Sequence, residues 1–360
     1  MAVSLCGDGR HGVPDGAIMP VMTRQPVRSP GRPTLDAVAA RAGVGRGTAS
    51  RVLNGSPQVS PQARAAVEAA ISELGYVPNR AARSLVTQRT DSVALVVSES
   101  QERVFGEPFF AGVLRGISSA LLETPLQLWL AMAASPEQRE RIEHHLTPQH
   151  VDGVLLLSLH DDDPLPAMLR ERDMPFVLGG RPRRPDPDDF FVDVDNEAGA
   201  RKAVEYLLTR GARRVATVAG PQDMEVGRAR LAGYRAVVPG GPDLVAYGDF
   251  SEGGGLAAMR ALLARSRDLD AVFAASDLMA SGALRALREA GLRVPQDVAL
   301  IGFEDAPVAT QTEPPLTTVH QPVEEMGRRM ARLLAARIRR EPVEDSHVLL
   351  DTHLVRRASA

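Results

Sequence analysis

One cysteine in 360 residues, Cys6, excludes two classes of protein at once: no intrachain disulfide can form and no cysteine-rich zinc site can be assembled. Aromatic residues make up only 4%, lysine occurs once, at Lys202, and no apolar run approaches the roughly 18 to 20 residues of a membrane helix. The stretch from Met1 to Pro33 is broken by Gly, Pro and Asp and lacks the apolar core, about 7 to 15 residues, of a secretion signal. A reducing, cytoplasmic setting without membrane contact is expected. What is present suits packed domains: 44% of the residues are apolar and 24% charged, enough for more than one hydrophobic core.

The net charge of −3 hides an asymmetry. Residues 1–90 carry 11 basic against 5 acidic side chains, a balance of +6, whereas the other 270 carry 31 against 40, a balance of −9. A basic head on an acidic body suggests that the head meets a polyanion.

Residues 1–31 hold Gly and Pro without an apolar period and read as a disordered leader. From Thr34 the texture turns helical. Thr34 can cap a helix from Leu35 to Ala42 that Gly43 ends, a second runs from about Arg46 to Leu53, and Ser60 followed by Pro61 starts a third that reaches Leu74 before Gly75. Asn79 can then cap one more short helix, Arg80 to Leu85. The domain reading is 32–78 for a helical head, 79–89 for a hinge helix and linker, and 90–360 for the body.

Beyond Asp91, apolar runs of strand length alternate with amphipathic helical stretches, the pattern of βαβ units and parallel sheets. Strands are expected at Val93–Val97, Leu126–Leu130, Val151–Leu157, Phe176–Leu178, Phe191–Val194, Val215–Ala219, Leu244–Tyr247, Ala271–Ala275, Val298–Ile301 and His347–Leu350. These are too many for one small sheet, and Val151-Asp152-Gly153-Val154-Leu155 recurs loosely as Leu269-Asp270-Ala271-Val272-Phe273. The expected fold is α/β with two doubly wound lobes facing a cleft.

Leu35 to Asn54 reads as a helix-turn-helix. Ala39 is small where two helices must cross, Gly43 can take a positive φ at the turn, and Val38, Val44, Ala49 and Val52 supply a shared core. The second helix then turns Arg46, Gly47, Ser50 and Arg51 toward solvent, and an arginine near the start of such a helix can pair with both acceptors of a guanine. A helix of six residues, Arg80 to Leu85, is too short to persist alone. Ala81 and Ala82 permit close approach to a minor groove.

In these segments, Thr34 to Asn54 and Val77-Pro78-Asn79-Arg80-Ala81-Ala82-Arg83-Ser84-Leu85, the chain resembles the LacI/GalR family of bacterial transcription repressors, and the resemblance runs from about Gly31 to Arg357. It implies a small all-α DNA-binding head and a two-lobed body like a periplasmic binding protein. It also implies base reading by Arg46, Gly47 and Arg51, phosphate contacts from Thr48, Ser50 and Asn54, and Leu85 as a wedge between central base pairs. Thr34, Asn79 and Ala82 complete the DNA-facing set. Gly45 replaces the family's usual serine before the recognition helix, and Gly47 removes one possible base-reading side chain.

For the body, the resemblance implies an effector site at strand ends. Arg230 matches the arginine that hydrogen-bonds effector oxygens, Phe250 an aromatic that stacks on the ligand, and Glu304 stands where the family places aspartate. Ser276 stands where asparagine is common, Phe109 and Phe110 flank the first-lobe side, and Arg181 follows Gly179-Gly180. Asp277 is read as a helix N-cap. A sugar is the default effector, with a nucleobase or another polar metabolite behind it. The short connection Ala236 to Pro242 trims one lobe, and without leucine heptads after the last strand a homodimer on a pseudo-palindromic double-stranded operator is expected.

Enzyme chemistry finds little support. Gly253-Gly254-Gly255 lacks a phosphate-loop lysine, and no GxGxxG follows the first strand. His144-His145 and Asp161-Asp162-Asp163 are adjacent residues pointing in different directions, read as solvated surface. No catalytic residue, metal or cofactor is expected. Two alternatives keep the same body: a regulator controlled by a protein partner or by no small molecule, and a cytoplasmic solute-binding protein.

Overall fold

The computed structural model describes residues 33–53, 55–77, 89–238 and 244–360. The expectations for the leader, Asn54, the hinge with Asn79, Ala82 and Leu85, and most of the short connection before Leu244 lie outside the described residues. The chain divides into two compact units, Met1–Asn79 and Arg80–Ala360.

The first unit holds α1 (Leu35–Ala42), α2 (Arg46–Leu53) and α3 (Pro61–Leu74). Thr34 Oγ1 accepts from the Ala37 N–H at 3.2 Å, capping α1. Gly43 ends that helix at φ 67°, a left-handed conformation that turns the chain into α2 without steric cost. Ser60 caps α3 in the same way, with Pro61 at its first turn, where no N–H is needed. Val38, Ala39, Ala49, Val52, Val67 and Ala70 form the core, with Val44 packed at its margin.

The second unit runs β1 (Ser92–Val97), α4 (Gln101–Gly106), α5 (Pro108–Leu121), β2 (Gln127–Met132), α6 (Pro136–Glu143), β3 (Gly153–Leu157), α7 (Leu165–Glu171), β4 (Phe176–Gly179) and β5 (Phe191–Val194). It continues as α8 (Asn196–Thr209), β6 (Val215–Ala219), α9 (Glu225–Val237), β7 (Val245–Tyr247), α10 (Glu252–Arg265), β8 (Ala271–Ala274) and α11 (Asp277–Glu289). The last elements are β9 (Ala299–Glu304), α12 (Val308–Gln311), β10 (Thr317–His320), α13 (Val323–Arg339), β11 (His347–Leu350) and β12 (His353–Val355).

Two six-stranded sheets result. The first has the order β11-β5-β4-β3-β1-β2 and is parallel throughout. The second has the order β12-β10-β9-β8-β6-β7, with β12 antiparallel to β10 and the rest parallel. Their inner strands are buried because helices cover both faces, as parallel sheets require, whereas the edge strands β2, β11 and β12 are partly exposed.

The strand expectations hold to within a few residues at each end, with two corrections. Thr317–His320 and His353–Val355 are strands that the sequence reading did not place, and the second makes its sheet mixed. The chain therefore passes between the sheets three times, from β5 to α8, from β10 to α13 and from β11 to β12. Helix α13 returns to the first lobe and lies so close to α5 that a Cβ on Gly116 would stand 2.0 Å from the Glu324 carbonyl oxygen.

Candidate functional site

Helix α2 presents Arg46, Gly47 and Arg51 to solvent, while Thr48 and Ser50 are half-buried beneath them. Arg46 Nε lies 3.5 Å from Asp36 Oδ1, but both side chains are mostly exposed, so the pair is weak and the arginine can be recruited elsewhere. The Gly45 carbonyl accepts from the N–H groups of Thr48 and Ala49 at 2.9 and 3.1 Å, which puts a residue without a side-chain oxygen at the start of α2. The space around Gly45 and Gly47 is open: a Cβ at either would meet nothing within 4 Å. Neither glycine is imposed by packing.

In the second unit a cavity of about 570 Å³ opens between the sheets, at the carboxyl ends of their strands. Phe109, Phe110, Arg181, Arg230, Phe250 and Glu304 all line it. Ser276 does not. It is the N-cap of α11, with Oγ accepting from the Met279 N–H at 3.1 Å and donating to the Phe250 carbonyl oxygen at 3.4 Å. The cap role expected of Asp277 thus belongs to Ser276. Asp277 is the first helical residue, buried, with its carboxylate on Thr318 Oγ1 at 2.6 Å and the Ala306 N–H at 2.8 Å.

Arg230 is the centre of the cavity wall beside the chain crossings. It rises from α9 and is only 2% exposed. Its Nε donates to Asn196 Oδ1 at 2.9 Å, Nη1 to the Ala275 carbonyl at 2.6 Å and to Glu304 Oε1 at 3.5 Å, and Nη2 to Gln321 Oε1 at 2.9 Å. The guanidinium plane stacks 3.7 Å from the Phe303 ring centroid. Four of the five donors expected to greet an effector are therefore engaged by the protein itself, leaving one N–H and the second Glu304 oxygen for a ligand. Asn196 and Gln321 were not expected in the site; they sit where the chain crosses between sheets, and only the fold brings them together.

Carboxylates elsewhere in the wall are shifted by burial. Glu107 is pushed up to about 7 by burial, although Arg103 Nε donates to it at 2.7 Å. Arg103 also donates to Glu99 at 2.7 Å and lies 5.5 Å from the Phe250 ring centroid. Burial likewise raises Glu304 against the pull of Arg230, and raises Asp193 against the N–H groups of Arg181 and Val194 that it accepts. Ser158, Phe250 and Glu304 line the cavity with φ of 61°, 69° and 113°, left-handed values rare outside glycine. Backbone strain of this kind, about 1 to 3 kcal/mol per residue, concentrates at binding sites.

The acidic run after β3 requires a correction. Asp161 and Asp162 are exposed as expected, but Asp161, at the rim, and the half-buried Asp163 also line the cavity. Asp161 accepts from both Nη atoms of Arg228 at 2.7 Å, and Asp163 accepts from Ser98 Oγ at 2.5 Å and the Leu165 N–H at 3.0 Å. His160 Nδ1 lies 2.6 Å from Asp223 Oδ2, and hydrogen bonds to Glu99 and Asp223 push its pKa up to about 9. Among the described residues, no three His, Cys, Asp or Glu side chains converge as a metal ion would need, and no helix is long and apolar enough to cross a membrane.

The two units have separate matches among known families. Residues 34–79 match the profile of bacterial regulatory proteins of the lacI family, and residues 204–360 match that of a periplasmic binding protein-like domain. The HTH-type transcriptional regulator CelR of Thermobifida fusca is 57% identical over 334 residues, covering 91% of this chain and 98% of the relative. The ribose operon repressor of Escherichia coli K12 is 36% identical over 336 residues, covering 91% and 99%. Among solved structures, the CelR–cellobiose complex aligns at 55% identity with a TM-score of 0.74, covering 91% of this chain and all of that one. The lac repressor dimer bound to operator and an anti-inducer aligns at 29% identity with a TM-score of 0.80, covering 91% and 98%. A three-helix head with an exposed recognition helix, a two-sheet body around a polar cleft, and relatives matched along nearly their whole length lead to one assignment: the chain belongs to the LacI family of bacterial transcriptional regulators.

Proposed function

We propose that this regulator is a cytoplasmic, non-enzymatic repressor that binds a pseudo-palindromic operator as a homodimer and releases or tightens it in response to a β-linked glucose disaccharide of the cellobiose type. The observation that carries the effector reading is the pairing, in one cavity, of aromatic faces with a guanidinium that keeps one free N–H and a carboxylate that keeps one free oxygen. Phe110 and Phe250 offer apolar surface to the C–H face of a sugar ring, while Arg230, Glu304 and Gln321 offer donors and acceptors to its hydroxyls. The complex of the similar CelR with cellobiose supports the same class.

The contacts follow from the chemistry. Arg46 and Arg51, the exposed cations of α2, read base edges; Gly47 allows close approach, and Thr34, Thr48, Ser50 and Asn54 grip phosphates. Asn79, Ala82 and Leu85 act in the hinge, with Leu85 as the minor-groove wedge. Phe109, Phe110, Arg181, Arg230, Phe250 and Glu304 hold the sugar, and Ser276 holds Phe250 from behind. Because Arg230 is bonded to Asn196 and Gln321, a ligand that draws on its free N–H or on Glu304 acts directly on two of the three crossings between the lobes. Closure then alters how the heads are presented to DNA.

The test is selection of the purified protein on a random duplex library at physiological salt, followed by anisotropy titration of the recovered duplex with cellobiose. A palindrome should emerge, and cellobiose should move its affinity by about 5- to 150-fold. Recovery of no motif, or an affinity indifferent to cellobiose and to other saccharides, would overturn the reading.

A further inference from the structure

The cleft is graded in exposure from the chain crossings to its rim. Arg230 beside the crossings has 2% of its side chain exposed, whereas Arg228 and Asp161 at the rim have 21% and 33%. Asp161 lies on the loop after β3 of the first lobe, and Arg228 stands at the start of α9 in the second. Their bidentate pair, at 2.7 Å on both oxygens, spans the cleft. Two further bonds cross beside it: the Asp161 N–H donates to the Asp223 carbonyl oxygen at 2.9 Å, and His160 pairs with the Asp223 carboxylate at 2.6 Å. All four residues line the cavity or hold a residue that does: His160 and Asp161 form its wall, Asp223 holds both of them, and Arg228 binds Glu225 of the same wall at 2.9 Å.

We infer that this bridge is a length gate: a saccharide short enough to fit beneath it is enclosed, and a longer one must break it. A charge-assisted, doubly hydrogen-bonded arginine–carboxylate pair resists displacement more than a single neutral contact does, roughly twofold per hydrogen bond. An additional sugar ring leaving the cleft at the rim would have to displace that pair and the main-chain bond beside it. The ring's hydroxyls would replace those bonds only in part, while the interlobe contacts that transmit closure would be lost. Length selectivity thus falls to Asp161 and Arg228, whose polar partners do not include Arg230, Asn196, Gln321 or Glu304.

The gate rests on the saccharide reading of the cleft, and the test separates the two. The full chain is titrated calorimetrically with cellobiose, cellotriose and cellotetraose, as wild type and as Asp161→Ala. Wild type should prefer cellobiose by at least about tenfold. In Asp161→Ala that preference should shrink to below about threefold through a gain for the longer sugars. Asp161→Asn, which keeps the side chain's volume and one acceptor, is the second variant should the alanine protein not fold, and should give an intermediate ratio.

If wild type binds all three sugars alike, or if both variants weaken every sugar by the same factor, the gate is refuted while the saccharide reading stands. If no cello-oligosaccharide binds wild type, the saccharide reading falls and takes the gate with it.

Discussion

Arg230 donates through Nη2 to Gln321 Oε1 at 2.9 Å, so a single buried guanidinium on α9 is fastened to the strand-to-helix crossing that precedes α13. Through Asn196 it is fastened to the crossing after β5 as well. Removing it leaves Glu304 without its nearest counter-charge in a poorly solvated wall and takes a further positive charge from Asp193. Arg230→Ala should therefore cost about 3 to 5 kcal/mol, read as a lower urea midpoint, and abolish the response to effector. Arg230→Lys keeps the charge but loses the planar fork, and should recover part of the stability without the response. A loss under about 1 kcal/mol in Arg230→Ala, with the response intact, would contradict the role given to this residue.

The rim bridge should weaken with rising pH. The folded protein holds a proton on His160 up to about pH 9 because Glu99 and Asp223 stabilise the imidazolium, whereas an unfolded histidine releases it near 6.5. Between those values the folded state binds more protons, so the stabilisation is complete below about pH 6.5 and lost as the pH rises through about 9. Partial exposure of the ring screens the effect and keeps it modest. The stability difference between wild type and His160→Gln should accordingly shrink from about pH 6 to about pH 9. A constant difference across that span would show that His160 does not carry the charge.

Glu107 gives the acidic counterpart. Its folded pKa of about 7 exceeds the ordinary 4.5, so the folded state again holds the extra proton. Wild type should be most favoured over Glu107→Gln below about pH 4.5, and that advantage should disappear as the pH rises through about 7. Thermal unfolding of the two proteins at matched pH values checks the direction, and an advantage that grew with pH would reverse the assignment.

The elements were legible wherever each carried its own signal. Thr34, Gly43, Ser60, Pro61 and Gly75 mark helix ends through capping chemistry that acts over three or four residues, and the structure uses each of them so. Most strands were equally plain, because parallel strands buried on both faces read as apolar runs. Thr317–His320 and His353–Val355 are three or four residues long and partly polar, and exist because they pair with each other and β10 with β9. No local pattern announces them. In the cleft, Arg230 and Glu304 could be carried over from family resemblance, but Asn196, Gln321, Arg103 and Asp161 could not. Their roles depend on which crossing faces which loop, a long-range property. Ser276 and Asp277 were both chemically fit to cap α11; burial of Asp277 against Thr318 and Ala306 decided between them.

On DNA, the exposed cations of α2 should differ in kind from phosphate contacts. Arg46→Ala and Arg51→Ala should each weaken the selected operator by about 1 to 3 kcal/mol and relax preference at one base pair per half-site. A phosphate contact would instead weaken all sequences alike and lower the salt dependence. Repeating the library selection with each variant distinguishes the outcomes, and uniform weakening without relaxed preference would move these arginines from base reading to backbone binding.

Gly220 offers a way to disturb the effector site while leaving the head untouched. A Cβ there would stand 2.5 Å from Phe250 Cζ and 2.6 Å from Cε1, well inside contact distance. The Phe250 backbone is held at φ 69°, and its carbonyl oxygen accepts from Ser276, so the ring has to move by rotation or by lifting the loop. Either takes it away from Arg103 and out of its place in the wall. Gly220→Ala should cost about 1 to 3 kcal/mol of stability as an overpacked position. It should also weaken cellobiose binding by about tenfold or more, while operator affinity measured without sugar stays unchanged. Calorimetry and anisotropy on the same preparation read the two effects separately. Unchanged sugar binding would mean that the Phe250 ring is not part of the effector's surface, and the stacking platform would then have to be sought in Phe109 and Phe110.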